Sequence, residues 1–298
     1  MKDIKLMNLQ LFTEGDDINK KADFEPAISV DFTSRIASNI ASLQQILGIE
    51  QAEPMAEGSV IKVYNYGTVT PAAQVAEGVK ITATKVTRTL AKTINLTLEK
   101  FRRETTAEAI QRVGRNVAIN QADEKLIGAV RKRIKTSFFA HIMGGTGTAT
   151  AGATLQAALA NVWGAMQKGF EDEDVTPIFF VSSDDVASYL GTANVSTQTA
   201  FGFTYLENFL GLGTAIVSPS ITKGAVYGTA KENLHMAYIP TSGSVGQLFG
   251  LTSDATGLVG MTHGINTDKA TIDTLLMEGV EFYPEFQDKI YKATVTGA

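Results

Sequence analysis

The residues that could do chemistry in this 298-residue chain are few and scattered. Three histidines, His141, His235 and His263, stand far apart. None belongs to a His-Glu-x-x-His pattern or lies beside a carboxylate at metal-ligand spacing, so structural or surface roles are expected. No Gly-x-Ser-x-Gly elbow occurs, which argues against an esterase-type serine. The stretch Gly144-Gly145-Thr146-Gly147-Thr148-Ala149-Thr150-Ala151-Gly152 offers backbone N–H groups, as a phosphate cradle would. It follows a helical pattern rather than a strand and lacks the Gly-Lys-Ser/Thr ending, so it reads as a hinge or linker. The acidic run Glu171-Asp172-Glu173-Asp174 has the oxygens for a hard cation, but not the alternating spacing or the glycine of a calcium loop. It reads as a solvated turn. The absence of cysteine excludes disulfides, thiolate metal sites and a cysteine nucleophile. No catalytic residue, metal or cofactor is expected, and the chain does not read as an enzyme.

Charge is more informative than any motif. Between Lys100 and Lys135 stand ten cations, among them Arg102, Arg103, Arg131 and Arg133, and four acids, a local +6. The whole chain carries −5, which leaves −11 for the remainder. A basic helix in an acidic chain could meet nucleic acid. These cations interleave with an apolar stripe and carry no base-reading motif, so pairing with carboxylates of the same or a neighbouring copy is the preferred reading, with any DNA contact nonspecific.

The element that carries them is expected to organise the chain. From Glu99 to Phe139, apolar residues recur at Ile110, Val113, Val117, Ile119, Ala122, Leu126, Val130, Ile134 and Phe138, the period of a helix with one buried stripe. Thr105 or Thr106 can cap it, and Glu108 sits three residues after Thr105 at capping-box spacing. A helix of about 30 residues spans about 45 Å, long for a compact domain. Before it, residues 58 to 98 are rich in threonine and β-branched residues and read as a long two-stranded ribbon turning near Ala76 to Lys80. That ribbon has too few large apolar side chains to stand alone. Residues 13 to 27 read as an extended polar arm ending at Pro26. Phe32, Ile36, Ile40, Leu43 and Leu47 mark a helix over 31–47.

After the Gly/Thr stretch, a helix is expected over Thr154 to Phe170, a buried strand at Pro177–Val181, and a helix through Leu190 capped by Ser182 to Asp185. Strands follow at 211–218, 224–229 and 235–239. A final strand pair is expected at 270–283 and 289–295, with Pro284 in the turn. The whole is α+β. No signal peptide or membrane span is apparent.

Three features resemble the major capsid proteins of tailed bacteriophages with the HK97 fold. The start Met7-Asn8-Leu9-Gln10-Leu11-Phe12 is similar to that of capsid proteins from phages of Gram-positive bacteria. The segment Ala72-Ala73-Gln74-Val75-Ala76-Glu77-Gly78, followed by a long β run and Asn95-Leu96-Thr97-Leu98-Glu99, resembles the family's extended E-loop and its exit into the spine helix. The order of arm, ribbon, long helix, α/β lobe and closing strands also matches. The resemblance implies an N-terminal arm at 1–30, a helix leading into the P domain at 31–53 and the E-loop at 54–98. It further implies a P domain with its spine helix at 99–153, an A domain at 154–260 and closing P-domain strands at 261–298. It implies a structural subunit of an icosahedral head that assembles with itself, as pentamers and hexamers, around double-stranded DNA. The expected partners are a portal, a separate scaffolding protein and packaged DNA bound nonspecifically, with no membrane. The expected location is the virion, after assembly in the host cytoplasm. Contact residues between subunits are expected at Val75, Glu77, Gly78, Lys80 and Lys85 of the ribbon and at Arg102, Arg103, Arg131 and Arg133 of the basic stretch. Lys80, Lys85 and Lys92 lie in the ribbon, but no partner asparagine or acid is assigned and no crosslink is expected. Two other readings compete: an encapsulin-like compartment shell, which shares the fold, and a phosphate-binding enzyme built on the 144–152 loop.

Overall fold

The computed structural model describes residues 21–70, 75–80, 85–171, 174–191, 197–200 and 203–297. The capsid-like start at 7–12, most of the N-terminal arm and Ala72 to Gln74 lie outside them.

The first described element is α1 (Lys21–Leu47), followed by the short β1 (Ala52–Pro54). The ribbon is β2 (Val60–Thr70) with β3 (Lys85–Asn95), followed by β4 (Glu99–Thr106), α2 (Ala107–Val113) and α3 (Arg115–Met143). A lobe then runs through β5 (Gly147–Thr148), α4 (Leu155–Gly169), β6 (Pro177–Ser182), α5 (Ser183–Leu190), β7 (Gln198–Ala200), β8 (Phe203–Phe209), β9 (Gly213–Ser218) and β10 (Ala225–Ala230). The remainder is β11 (Leu234–Tyr238), α6 (Ser244–Phe249), β12 (Thr252–Ser253), β13 (Val259–Asn266), β14 (Thr271–Glu278), β15 (Val280–Pro284) and β16 (Tyr291–Thr294). The described strands form a seven-stranded sheet β5-β16-β10-β6-β9-β8-β7, a four-stranded sheet β12-β13-β14-β4, a three-stranded sheet β1-β11-β15, and the ribbon.

The organising stretch is not one helix. Glu99 to Thr106 is a strand whose alternate residues face inward, and it pairs antiparallel with β14 from Glu278↔Glu99 to Thr271↔Thr106. Period-two burial over eight residues wins there over the helical step that begins at Ile110. The cap is Thr106, whose hydroxyl accepts from the Ala109 N–H, so Glu108 does not form the expected box with Thr105. Gly114, at φ 85° and ψ 150°, then breaks the helix, because this backbone is outside the helical region and admits glycine readily. The intact part, α3, has 29 residues and spans about 44 Å.

Of the expected stripe, Ile119, Ala122, Leu126, Val130, Ile134 and Phe138 are buried, whereas Val113 and Val117 face out. Val130, Ile134 and Phe138 pack with Ile36, Ile40, Leu43 and Leu47 of α1 and with strands of three sheets in one core. Phe138 is its centre, with ring centroids 5.5 Å from Phe139 and Phe180 and 6.1 Å from Phe282. A second core lies within the lobe. Leu155, Leu159, Val162 and Met166 of α4 cover Phe179, Val181, Ala215 and Val226 of the seven-stranded sheet. The Ser182 cap forms as expected, and Thr154 caps α4.

Three more expectations change. Helix α1 begins by Lys21 and continues through Pro26, so residues 21–27 are helical rather than extended. The Gly/Thr stretch is no hinge. Its strand β5 pairs parallel with β16, and a Cβ at Gly145 would sit 2.6 Å from the Ile290 side chain, one at Gly147 2.6 Å from the Asp288 carbonyl oxygen. The glycines are there because two backbones meet. The closing segments do not pair with each other: β14 joins β4 and β13, β15 joins β11, and β16 joins β10 and β5.

Candidate assembly interface

The ribbon is antiparallel from Val60↔Asn95 to Thr70↔Lys85. Its turn places Gly78 at φ 81° and closes with the Val79 N–H donating to the Ala76 carbonyl at 3.1 Å. Its root is packed. Ile61, Val63, Ile94 and Leu96 form a small core with Ala237, Ile239 and Tyr283. Farther out the ribbon is exposed: Leu90 is 52% exposed and Val79 56%. Glu77, Gly78 and Lys80 stand in the open turn, Val75 is half-buried, and Lys85 begins β3.

Two irregularities lie between root and tip, at Val63/Tyr64 and Asn65/Thr68. A bulge leaves an unpaired residue and bends its strand. Around them β2 is fastened by backbone. The Tyr64 N–H donates to the Glu285 carbonyl and the Gln287 N–H to the Tyr64 carbonyl, each at 3.0 Å, and the Tyr66 N–H donates to the Asp288 carboxylate at 2.8 Å. The Lys289 ammonium lies 3.7 Å from the Tyr66 ring centroid, a cation–π contact in a buried setting. Strand β3 is fastened by side chains instead, through Arg88, 3.7 Å from Glu285, and Lys92.

The four expected arginines split. Arg102 pairs with Asp273 at 2.6 Å and Glu104 at 2.8 Å at the sheet surface. The hydrogen bond to Arg102, aided by those from Thr271 and Asn266, holds the Asp273 carboxyl below the usual range. Arg103 is half-buried on the neighbouring register position. Arg131 has a buried Nε without a hydrogen-bond partner; burial and then the charge of Arg35 push its guanidinium down. Arg133 turns inward to Glu99 at 3.5 Å, Glu278 at 3.7 Å and Glu281 at 3.3 Å, and donates to the Val280 carbonyl at 2.5 Å.

Arg133 belongs to a polar cluster below the ribbon that joins β3, β4, α3, β14 and β15. Glu281, nearly buried, accepts from Ser137 and from His141 Nε2 at 2.9 Å. Burial raises its pKa, but the hydrogen bonds from His141 and Ser137 and the charge of Arg133 outweigh that and leave it lowered. Glu278 is fully buried. Its Oε2 accepts from the Val280 N–H at 2.8 Å and its Oε1 has no hydrogen-bond partner. Burial pushes its carboxyl up to about 7, against Arg133 and with help from Glu99 and Glu281. His263 pairs with buried Asp123 at 3.0 Å, and His235 lies 3.5 Å from Glu285. Each histidine thus faces a carboxylate, and the partners stand 140 positions away in sequence for His141 and His263. No local spacing could show them. Among the described residues no group of three metal-capable side chains occurs, and no helix is long and apolar enough to cross a membrane.

A ribbon exposed toward its turn, a long helix packed on three sheets and a lobe built on the seven-stranded sheet are the elements to compare with known proteins. The family model described as phage capsid protein matches residues 80–279, more than half of the chain. The chain belongs to the phage capsid protein family. Solved structures agree on its HK97-like fold. The capsid of cyanophage A-1(L) aligns at TM-score 0.58 and 10% identity, over 86% of this chain and 93% of that one. The capsid of an empty GTA particle aligns at 0.54 and 11%, over 85% and 89%. A virus-like particle from Pyrococcus furiosus aligns at 0.50 and 10%, over 88% and 97%. No curated protein matches. In this capsid family member, Gly145 and Gly147 of the Gly/Thr stretch are packed against residues 288–291.

Proposed function

We propose that this chain is the shell-forming subunit of a phage head, assembling with copies of itself into pentamers and hexamers around double-stranded DNA. Membership of the phage capsid family carries the reading. The ribbon supports it physically: an exposed two-stranded element with few large apolar groups is marginal alone and gains cover when laid on a neighbour. Residues 54–98 then act as the E-loop, with Val75, Glu77, Gly78, Lys80 and Lys85 at the contact. Residues 1–30 act as the N-terminal arm and 31–53 lead into the P domain. Residues 99–153 supply its spine and 261–298 return strands to it. Residues 154–260 form the A domain around the five- and sixfold centres. Arg102, Arg103 and Arg131 remain the contact candidates of the body, while Arg133 serves its own chain. A portal, a scaffolding protein and nonspecifically held DNA are the further partners, and assembly takes place in the host cytoplasm.

Deletion of residues 68–85 tests this. The expected product is a soluble chain that forms no closed shells under negative-stain microscopy. Shells of normal diameter from that deletion would refute the role given to the ribbon. Nucleic acid inside purified full-length shells separates a phage head from a compartment holding a cargo protein.

A further inference from the structure

Lys92 and His141 hold a feature that the shell reading leaves unused. The Lys92 ammonium lies 3.1 Å from His141 Nδ1, and His141 Nε2 lies 2.9 Å from Glu281 Oε1. An ammonium has three donors and no acceptor. Nδ1 must therefore accept, the single ring proton must sit on Nε2, and that proton points at the Glu281 carboxylate. The contact exists only with a neutral imidazole. An added proton lands on Nδ1 and turns two donors, both positively charged, toward each other. The ion pair with Glu281 survives this change and Lys92 does not.

Lys92 is also placed where its loss matters. It pairs with Val63, and the next pair is Tyr64↔Leu90, so the extra residue Ala91 adjoins it at the bulge. Below this point the ribbon is held by its small core. Above it β2 keeps its bonds to Glu285 and Asp288, whereas β3, beyond its pairing with β2, is tied to the body through the side chains of Lys92 and of Arg88, which meets Glu285 and the Phe286 ring.

We propose that His141 is a proton-operated latch: neutral, it holds Lys92 and fastens β3 to the long helix; protonated, it ejects Lys92 and frees the outer ribbon to bend at the bulge. The charged and polar groups around the ring are Lys92 from β3, Glu281 from β15, and Ser137 and Arg133 from α3. Glu278 from β14 and Glu99 from β4 face Arg133 from the other side. Glu278, pushed up to about 7 by its burial, is the other group of the cluster that takes up a proton on acidification.

The latch is independent of the shell reading, because it can be read on unassembled protein. Hydrogen–deuterium exchange of the backbone amides of residues 86–95, corrected for intrinsic rates, is compared at about pH 8 and about pH 5.5, the span over which histidine side chains change charge. Protection of β3 in the natural chain is expected to fall about tenfold on acidification, the scale of one charge-assisted hydrogen bond. Lys92→Met should show low protection at both pH values. His141→Gln should remove the acid response. Lys92 is exposed, so its variant tests the idea even if His141→Gln does not fold. Unchanged protection in the natural chain overturns the latch. So does an acid response that persists in Lys92→Met or His141→Gln, which would assign it to Glu278. Ring nitrogen resonances showing a protonated Nδ1 near pH 8 would also overturn it.

Discussion

The root and the outer part of the ribbon share two strands and one register, yet they are held by different things. At the root, Val63 is fully buried and Ile61, Ile94 and Leu96 nearly so, against strands of the body. Past the first bulge, Leu90 and Val79 are more than half exposed, and the described ties to the body are polar and aromatic rather than aliphatic packing. The difference separates folding from assembly. Burying apolar area stabilises by about 25 cal/mol per Å², so the root contributes to the chain's own stability and the outer ribbon contributes once something covers it.

That contrast can be broken or sharpened by substitution. As a reference, Phe138→Ala in the main core should cost about 3–5 kcal/mol, seen as a large drop in the denaturation midpoint. Glu278→Gln addresses the cluster below the root. The natural carboxyl has its pKa raised from 4.5 to about 7. The stability it contributes is therefore present below 4.5 and is lost as pH rises through about 7. The loss amounts to about 3 kcal/mol at 1.36 kcal/mol per unit. The glutamine variant should lack this slope and be the more stable protein above neutrality in urea titrations at several pH values. Val63→Ala at the root should cost about 2 kcal/mol. Leu90→Ala should change chain stability by less than about 0.5 kcal/mol while weakening assembly, measured as the protein concentration at which shells first appear by light scattering. Equal stability losses at Val63 and Leu90 would erase the distinction between root and tip.

Much of this architecture was legible in the chain. The ribbon and its turn were visible because threonine and β-branched residues alternate on both sides of Glu77-Gly78. The lobe's helices and strands were visible from their caps and from the continuous apolar run at Pro177–Val181. Hidden were β7 with β8 and β13, the last containing Gly260 and Gly264. Both β8 and β13 lie between two neighbours, and such a strand needs little intrinsic preference, while β7 is a three-residue edge strand too short to show a period. The basic stretch misled at both ends. Its first eight residues take the period of the sheet they join, and Val113 and Val117 continue the stripe in sequence but face outward in space.

By itself the sequence determined local choices: where helices are capped, where the ribbon turns, which apolar residues share a face, and that no motif for catalysis is present. These depend on neighbours within a few positions. The tertiary structure alone decided the pairings. Arg133 could meet any carboxylate until Glu99, Glu278 and Glu281 were brought around it. His141 was an ordinary helical histidine until Lys92 and Glu281 closed on its two nitrogens. The glycines at 145 and 147 looked free until the backbone near Ile290 filled the space beside them. Charge pairing and close packing act over a few ångströms, and residues far apart along the chain reach that range only once the sheets have set their positions.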